Sequence, residues 1–236
     1  MSETTRVVHR PRILITGGTA GLGRALVAEW RKRGAKVAFV ARDPLRVEHT
    51  AHRQPGTFGI VGDVSNKDHT YPIATQALAA LGGLDVLINN ASSLGPVPLA
   101  LLGDTSCEDF EQALATNLLG PFRLTKALLG GLAAAARGGT GGVVVNVTSD
   151  AAVTPYAGWG AYGASKAALL HMSRIWHEEL VAEGVRVLSF DPGDMDTALH
   201  ALALPDADPA GLLRPQISAA RLANAVAAEL PVRNVA

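Results

Sequence analysis

Tyr162 and Lys166 stand four residues apart in GWGAYGASKAALLHMS, a stretch that reads as the opening of a helix. On a helix that spacing puts both side chains on one face, one turn apart, where they can converge on a single site. A free phenol titrates near pH 10 and is a sluggish acid or base at neutral pH, whereas a neighbouring ammonium favours its phenolate. A shift of about 3 units corresponds to roughly 4 kcal/mol of differential stabilisation, a plausible demand on one close charge plus hydrogen bonds. The pair is a candidate proton donor and acceptor. Taken alone it is just as well a helix-start aromatic beside a solvated charge, so its weight depends on what else the chain brings to it.

A second group of residues suits anion binding. ILITGGTAGLGRAL places Gly17, Gly21 and Gly23 directly after a strand-like run and at the start of a helix. Gly17 permits a tight turn, Gly21 lets the backbone approach a pyrophosphate and Gly23 allows close helix packing, while the helix N-terminus offers unpaired N–H groups. Thr16 and Thr19 can add hydroxyl donors. The alternative is a structural turn after a buried strand. The end of the next strand, FVARDP, bears on the choice of dinucleotide. Arg42 there favours NADP, because a guanidinium can hold a 2′-phosphate bidentately and stack on adenine. Asp43 offers a carboxylate that could pair with Arg42 or take a ribose hydroxyl, which keeps NAD open.

These residues need a scaffold, and the apolar pattern describes one. RILIT (12–16), KVAFVA (36–41), TFGIVGDV (57–64), LDVLINNAS (84–92), GVVVNVTS (142–149) and VRVLSFDPG (185–193) are mostly continuous apolar runs, as expected of strands covered on both faces. Helices are expected near 21–33, 44–53, 66–81, 108–137, 160–182 and 217–229, each bounded by Gly, Pro or a capping residue. This alternation predicts one α/β domain over 1–236, a Rossmann-like doubly wound parallel sheet of six or seven strands with helices on both faces. GGLAAAARGGTGG (130–142) reads as a helix end and turn within that alternation, not a linker. Ligands of such sheets sit at the carboxyl ends of the strands.

Bulk properties narrow the partners. Lys plus Arg equals Asp plus Glu at 21 each, dispersed along the 236 residues, which argues against nucleic-acid or membrane binding. MSETTRVVHRPR has no apolar stretch of signal-peptide length, and later apolar runs are short or interrupted, so a soluble cytoplasmic protein is expected. Cys107 is the single cysteine and reads as incidental, and the spacing of the seven histidines gives no metal site.

The spacing T-G-x-x-x-G-x-G over residues 16–23, with motifs that follow in order to about residue 197, resembles the short-chain dehydrogenase/reductase family. The resemblance implies a nicotinamide dinucleotide bound by Thr16, Gly17, Thr19, Gly21, Leu22, Gly23 and Arg42. It implies adenine contacts from Asp63 and Val64 in GDV, and a place for Asn89 and Ala91 of NNAS at the cofactor, Ala91 lining the nicotinamide ribose. Ser92 departs from the family glycine. Pro192 and Gly193 match the turn over the nicotinamide, with Met195 and Thr197 at its carboxamide. Asn117 matches an asparagine that bends a helix and holds a relay water. Ser149, thirteen residues before Tyr162, stands at the interval of the family serine, with Thr148 as the competing hydroxyl.

Together these imply hydride transfer between NADP(H) and a small to medium carbonyl or alcohol. Ser149 would hold the oxygen, Tyr162 would give or take its proton, and Lys166 would bond the nicotinamide ribose and lower the tyrosine pKa. Residues 198–216 would form a lid, and Leu94, Pro96, Val97 and Trp159 would line an apolar pocket, with His200 or Arg214 able to meet an anion. Members of the family pack as homodimers or homotetramers through helices equivalent to 108–137 and 160–182, although AAELPVRNVA stops short of the usual glycine-rich tail. Two other classes remain: a dinucleotide-binding regulator without turnover, against which intact Ser149, Tyr162 and Lys166 count, and a sugar-nucleotide epimerase or dehydratase, which usually needs a longer C-terminal region.

Overall fold

Six parallel strands form the central layer, in the order β3-β2-β1-β4-β5-β6. The structure, a computed structural model, describes residues 10–231. The strands are β1 (Arg12–Thr16), β2 (Lys36–Ala41), β3 (Thr57–Val61), β4 (Val86–Asn89), β5 (Val143–Val147) and β6 (Arg186–Phe190). The helices are α1 (Gly21–Lys32), α2 (Pro44–Arg53), α3 (Thr70–Leu81), α4 (Cys107–Leu114), α5 (Gly120–Arg137), α6 (Gly160–Leu180), α7 (Ala198–Ala203) and α8 (Pro215–Glu229). The sheet has six strands among the described residues; a seventh built from the end of AAELPVRNVA would fall on residues 232–236, outside them, as do the first nine residues of MSETTRVVHRPR.

Alternate residues of each strand feed opposite cores, as the pleat requires. Ile13, Ile15, Val37, Phe39, Val86 and Ile88 pack with Leu22, Leu26 and Trp30 of α1 and Leu222 and Val226 of α8. Leu14, Val40, Ile60, Leu87 and Val144 pack on the other face with Ile73 and Leu81 of α3 and Leu124, Leu128 and Leu132 of α5. Burying both faces explains why these strands read as unbroken apolar runs. After β1 the chain builds β2 and β3 on one side, then crosses to β4 on the other, which opens a crevice at the carboxyl ends of β1 and β4.

One expected element differs in form. The helix expected over 108–137 is helical throughout, but Ala115–Leu119 is a π-turn between α4 and α5. A wider turn of this kind rotates the residues beyond it relative to those before. Asn117 lies at its middle, so the bend expected there takes this form.

The amino ends of β1 and β4 are tied by charge. Arg12 Nη2 meets Asp85 Oδ1 at 2.7 Å and Arg12 Nε meets Oδ2 at 2.9 Å, while Thr140 Oγ1 donates to Oδ1 at 2.7 Å. Burial pushes the Asp85 carboxyl up, but the bonds from Arg12 and Thr140 outweigh it and hold the group below the usual carboxylate range. The stability this contributes is therefore present at neutral pH and lost as pH falls through the depressed folded pKa. Asp85→Ala should cost about 2 kcal/mol or more, because it removes the buried acceptor shared by Arg12 and Thr140 and leaves the partly exposed guanidinium with Gly82 O and Thr140 Oγ1. Urea unfolding of the variant and the parent at pH 7 and at about pH 3, below the unfolded carboxylate pKa, checks this, with the gap narrowing at the lower pH.

Candidate active site

The glycine loop follows β1 because Gly17, at φ +70°, turns the chain in a region that suits glycine. Its N–H and that of Gly18 donate to Val40 O at 2.8 and 3.1 Å, which holds the loop over β2. A Cβ at Gly23 would run into the Gly17 carbonyl oxygen, so the third glycine is needed for the helix to pack on the turn. Helix α1 begins with Ala20 as its cap, makes no side-chain capping bond and carries no acidic residue in its first turn. Its leading N–H groups therefore point into the crevice as donors for an anion.

Those donors open on a cleft of about 470 Å³ lined at the loop by Gly17, Thr19, Gly21, Leu22 and Gly23. On one side of the loop the lining continues with Arg42, Asp63 and Val64, and on the other with Ala91, Tyr162, Lys166, Pro192, Met195 and Thr197. The donor set fits a dinucleotide: anion-binding N–H groups lie in the middle, with room for a ring system at each end. Asp43, open in its role from sequence alone, caps α2 by accepting from Leu45 N and Arg46 N at 2.9 and 3.2 Å, and meets Arg46 Nε at 3.5 Å. Its carboxylate is engaged with its own helix and not with Arg42.

Three of the residues expected at the cofactor are placed otherwise. Thr16 is 2% exposed, and its Oγ1 accepts from Asn90 N and Ala91 N, both at 3.0 Å, so it fastens the end of β4 instead of lining the cleft. Asn89 faces away from the cleft, donating to Asn146 Oδ1 at 2.8 Å and Thr125 Oγ1 at 3.3 Å. Pleat parity explains this, since Asn89 points to the same face as Leu87. Its neighbour Asn90 lines the cleft and donates to Thr16 O at 2.9 Å. Gly193, at φ +74°, makes the turn after β6 but lines the adjoining pocket.

Asn117 joins three elements. It is fully buried, its Oδ1 accepts from Ser93 N at 2.8 Å and Ser92 Oγ at 3.1 Å, and its Nδ2 donates to Ser93 O and Ser165 Oγ, each at 2.8 Å. Ser165 in turn donates to Tyr162 O at 2.7 Å. The side chain is thus saturated by protein groups, and any water held by this residue would have to bond its backbone.

Tyr162 lies in the wall common to the cleft and a second cavity of about 390 Å³. Burial pushes the phenol up to about 12; the Ser149 and Ser92 hydroxyls beside it pull the other way, and Asp191 and Asp150 push it further up. Burial brings Lys166 down to about 8, opposed by the charge of Asp191. Lys166 Nζ donates to Val147 O at 2.8 Å and sits 5.5 Å from the centre of the tyrosine ring. The lowering of the tyrosine pKa assigned to Lys166 from sequence is therefore outweighed by desolvation of the phenolate: the phenol is protonated at neutral pH.

The second cavity is lined by Leu94, Ser149, Tyr156, Trp159, Leu204 and Tyr162, with Asp150, Asp191, Asp194 and His200 at its polar side. Thr148 lines both cavities, so both candidate hydroxyls border the second one. Of the other residues expected here, Val97 lines the cleft instead, while Pro96 and Arg214 line neither space. Thr197 caps α7, accepting from His200 N at 3.2 Å, and a bridge between Met195 and Leu213 closes the segment that covers the pocket.

A glycine loop after β1 with Tyr162 and Lys166 in the same cleft, and Ser149 in the adjoining cavity that Tyr162 also lines, on a 3-2-1-4-5-6 sheet, agree with the family comparison, in which the model described as short chain dehydrogenase matches residues 11–207. The chain belongs to the short-chain dehydrogenase family. It is 36% identical over 191 residues to a serine 3-dehydrogenase of Agrobacterium fabrum, covering 78% of this chain and 72% of that one. The fold is similar to that of a 3-ketoacyl-(acyl-carrier-protein) reductase from Brucella melitensis complexed with NADH, at TM-score 0.84 and 27% identity over 91% of this chain and 89% of that one. An alcohol dehydrogenase from Thermococcus sibiricus complexed with 5-hydroxy-NADP aligns at TM-score 0.81 and 27% identity, over 92% and 91% of the two chains. This short-chain dehydrogenase is accordingly an NAD(P)-dependent oxidoreductase, with a fold built for a nicotinamide dinucleotide.

Sequence reading assigned no role to three residues that the geometry brings in, Ser165, Asp150 and Tyr156, and marked Ser92 only as a departure from the family glycine. Ser92 and Ser165 are both bound to Asn117. Asp150 and Tyr156 are joined at 2.8 Å across a loop whose form no periodicity announces. Gly23→Ala tests the packing of the cofactor loop. It should lower stability by about 1–3 kcal/mol through overpacking and weaken NADPH binding by about tenfold or more, read by thermal unfolding and by nucleotide fluorescence titration.

Proposed function

We propose that this short-chain dehydrogenase moves a hydride between NADP(H) and a small to medium alcohol or carbonyl compound, with Tyr162 as proton donor and acceptor. The observation that carries the reading is the place of Tyr162 in the wall common to the dinucleotide cleft and the second cavity. A phenol there can reach an oxygen on one side while its neighbour Lys166 faces the other. The bound nicotinamide supplies or accepts the hydride.

In the reductive direction Tyr162, protonated at rest, gives its proton to the substrate oxygen. Ser149 lies against the same phenol and is the second group for that oxygen. Lys166, with a pKa of about 8, can hold or release a proton close to neutral pH and so recharge the phenol. The apolar walls Leu94 and Trp159 exclude water from the reacting side. Segment 198–216, which includes Leu199, His200, Ala203 and Leu204 of the pocket lining, serves as the lid of a single domain.

NADP is the favoured cofactor in this reading because Arg42 and Arg46 both line the cleft while Asp43 is occupied in capping α2. Two similar structures carry different dinucleotides, NADH in one and 5-hydroxy-NADP in the other, so the preference is argued from the residues of this cleft, Arg42 first among them. Assembly as a homodimer or homotetramer is part of the same reading, supported by Leu119, Phe122 and Ile175, which leave apolar surface exposed before and along α5 and on α6.

Two experiments test these assignments. Tyr162→Phe should bind NADPH within about threefold of the parent yet lose nearly all turnover on a panel of ketones and aldehydes; retention of more than about a tenth of the activity sinks the proton-donor role. Arg42→Ala should raise the KM for NADPH by about tenfold and leave that for NADH within about threefold, measured side by side. Equal losses with both cofactors would remove the case for NADP.

A further inference from the structure

Ser149 has one hydroxyl proton, and the structure directs it away from the substrate. Its Oγ donates to Asp150 Oδ1 at 2.8 Å, and since a carboxylate only accepts, the direction of this bond is fixed. The carboxylate is held in place from two other sides, by Tyr156 Oη on Oδ2 and by the Ala151 N–H on Oδ1, both at 2.8 Å. Ser149 Oγ also accepts from the Ala151 N–H at 3.2 Å, as cap of the short turn Asp150–Ala152. One lone pair of that oxygen remains on the side of Tyr162, whose phenol lies within hydrogen-bond reach of it and can turn to a substrate oxygen.

The two redox forms of a substrate differ in what they ask of this oxygen. An alcohol hydroxyl donates and accepts, whereas a carbonyl oxygen only accepts. In the resting complex the protonated Tyr162 phenol donates to the substrate oxygen. An alcohol can therefore donate to the remaining lone pair of Ser149 with the Ser149–Asp150 bond intact, and it turns its proton to Tyr162 only when the phenolate forms. A ketone needs the Ser149 proton itself, and must draw it out of a charge-assisted bond, which is stronger than the neutral one that replaces it. We infer that Asp150 is a positioning residue that sets substrate preference, holding the Ser149 hydroxyl as an acceptor and so favouring the alcohol form over the carbonyl form. The inference rests on the proposed assignment of Ser149 and Tyr162 to the substrate oxygen.

The charge state supports it. Burial raises the Asp150 carboxyl, but the bonds from Tyr156, Ser149 and Ala151 outweigh burial and leave it below the usual range, an anion throughout the neutral region. The residue projects from an exposed turn, so replacing it does not open the core.

The test compares Asp150→Ala and Asp150→Asn with the parent on one alcohol–ketone pair, 1-phenylethanol with NADP and acetophenone with NADPH, or the first pair turned over in a wider panel. The ratio of ketone KM to alcohol KM should fall about tenfold in Asp150→Ala and by less in Asp150→Asn, with kcat changing less than KM. In a separate measurement, ¹³C NMR titration of Asp150 in Ser149→Ala should find its pKa raised by about one unit. An unchanged KM ratio in Asp150→Ala, or an unmoved Asp150 pKa in Ser149→Ala, overturns the inference. Failure of the parent protein to turn over any alcohol–ketone pair while still binding NADPH would instead overturn the proposed function, and this inference with it.

Discussion

The amide of Asn117 is the joint on which the site depends. Its two polar atoms hold the chain after β4 through Ser92 and Ser93 and hold α6 through Ser165, from the middle of the π-turn between α4 and α5. Ser165 then fixes the backbone of Tyr162. Three elements distant in sequence thus meet at one saturated side chain with no solvent exposure. A buried amide with every bond made is rigid, because each alternative orientation leaves a donor or acceptor unpaired in a medium of low dielectric. The position of the phenol relative to the end of β4 follows from that requirement.

Burial at this joint governs the charges as well as the geometry. Tyr162 is driven up and Lys166 down by the same cause, the loss of water around the ionised form. At rest the pair is therefore not an ion pair but a protonated phenol near a lysine that titrates close to neutral pH. At rest Ser149 and Ser92 direct their protons to Asp150 and Asn117, but each lies beside the phenol and draws its pKa down against the larger effect of burial. Forming the phenolate requires these hydroxyls to turn, or positive charge to arrive beside them, and either change comes with what binds in the two cavities.

Much of this architecture was legible in the sequence because it is written in residue type at fixed spacing. Double-sided burial shows itself as continuous runs such as Val143–Val147, and the glycine loop as residues that only the backbone can explain. Roles that depend on which way a side chain turns were less legible. Asn89 matched a motif and still faces Thr125 and Asn146, a fact that pleat parity contains but motif matching ignores. Thr16 likewise matched by position and acts on Asn90 and Ala91. The mutual effect of Tyr162 and Lys166 was the hardest to read: spacing reveals that two groups can meet, while the sign of their pKa shifts depends on how much water is left around them. The bond between Asp150 and Tyr156 crosses an irregular loop and has no sequence signature at all.

The substrate side is built so that variation is confined. Ser218 Oγ on α8 donates to Pro192 O at 2.7 Å, and the bridge of Met195 with Leu213 is fastened by Asp196 N to Leu213 O and Leu213 N to Asp194 O, both at 2.9 Å. Both ends of the covering segment are thus anchored to the strand end that carries Pro192 and Gly193. Between the anchors, Leu199, His200, Ala203 and Leu204 face the pocket from a short helix and a loop with few bonds to the body of the fold. Changes in that stretch can reshape the space offered to a substrate without moving Tyr162, Ser149 or Lys166, because the anchors absorb them before they reach β5 or α6. Separating a rigid group of Tyr162, Ser149 and Lys166, the proposed site of proton transfer, from a variable wall lets one fold keep its chemistry while its substrates differ.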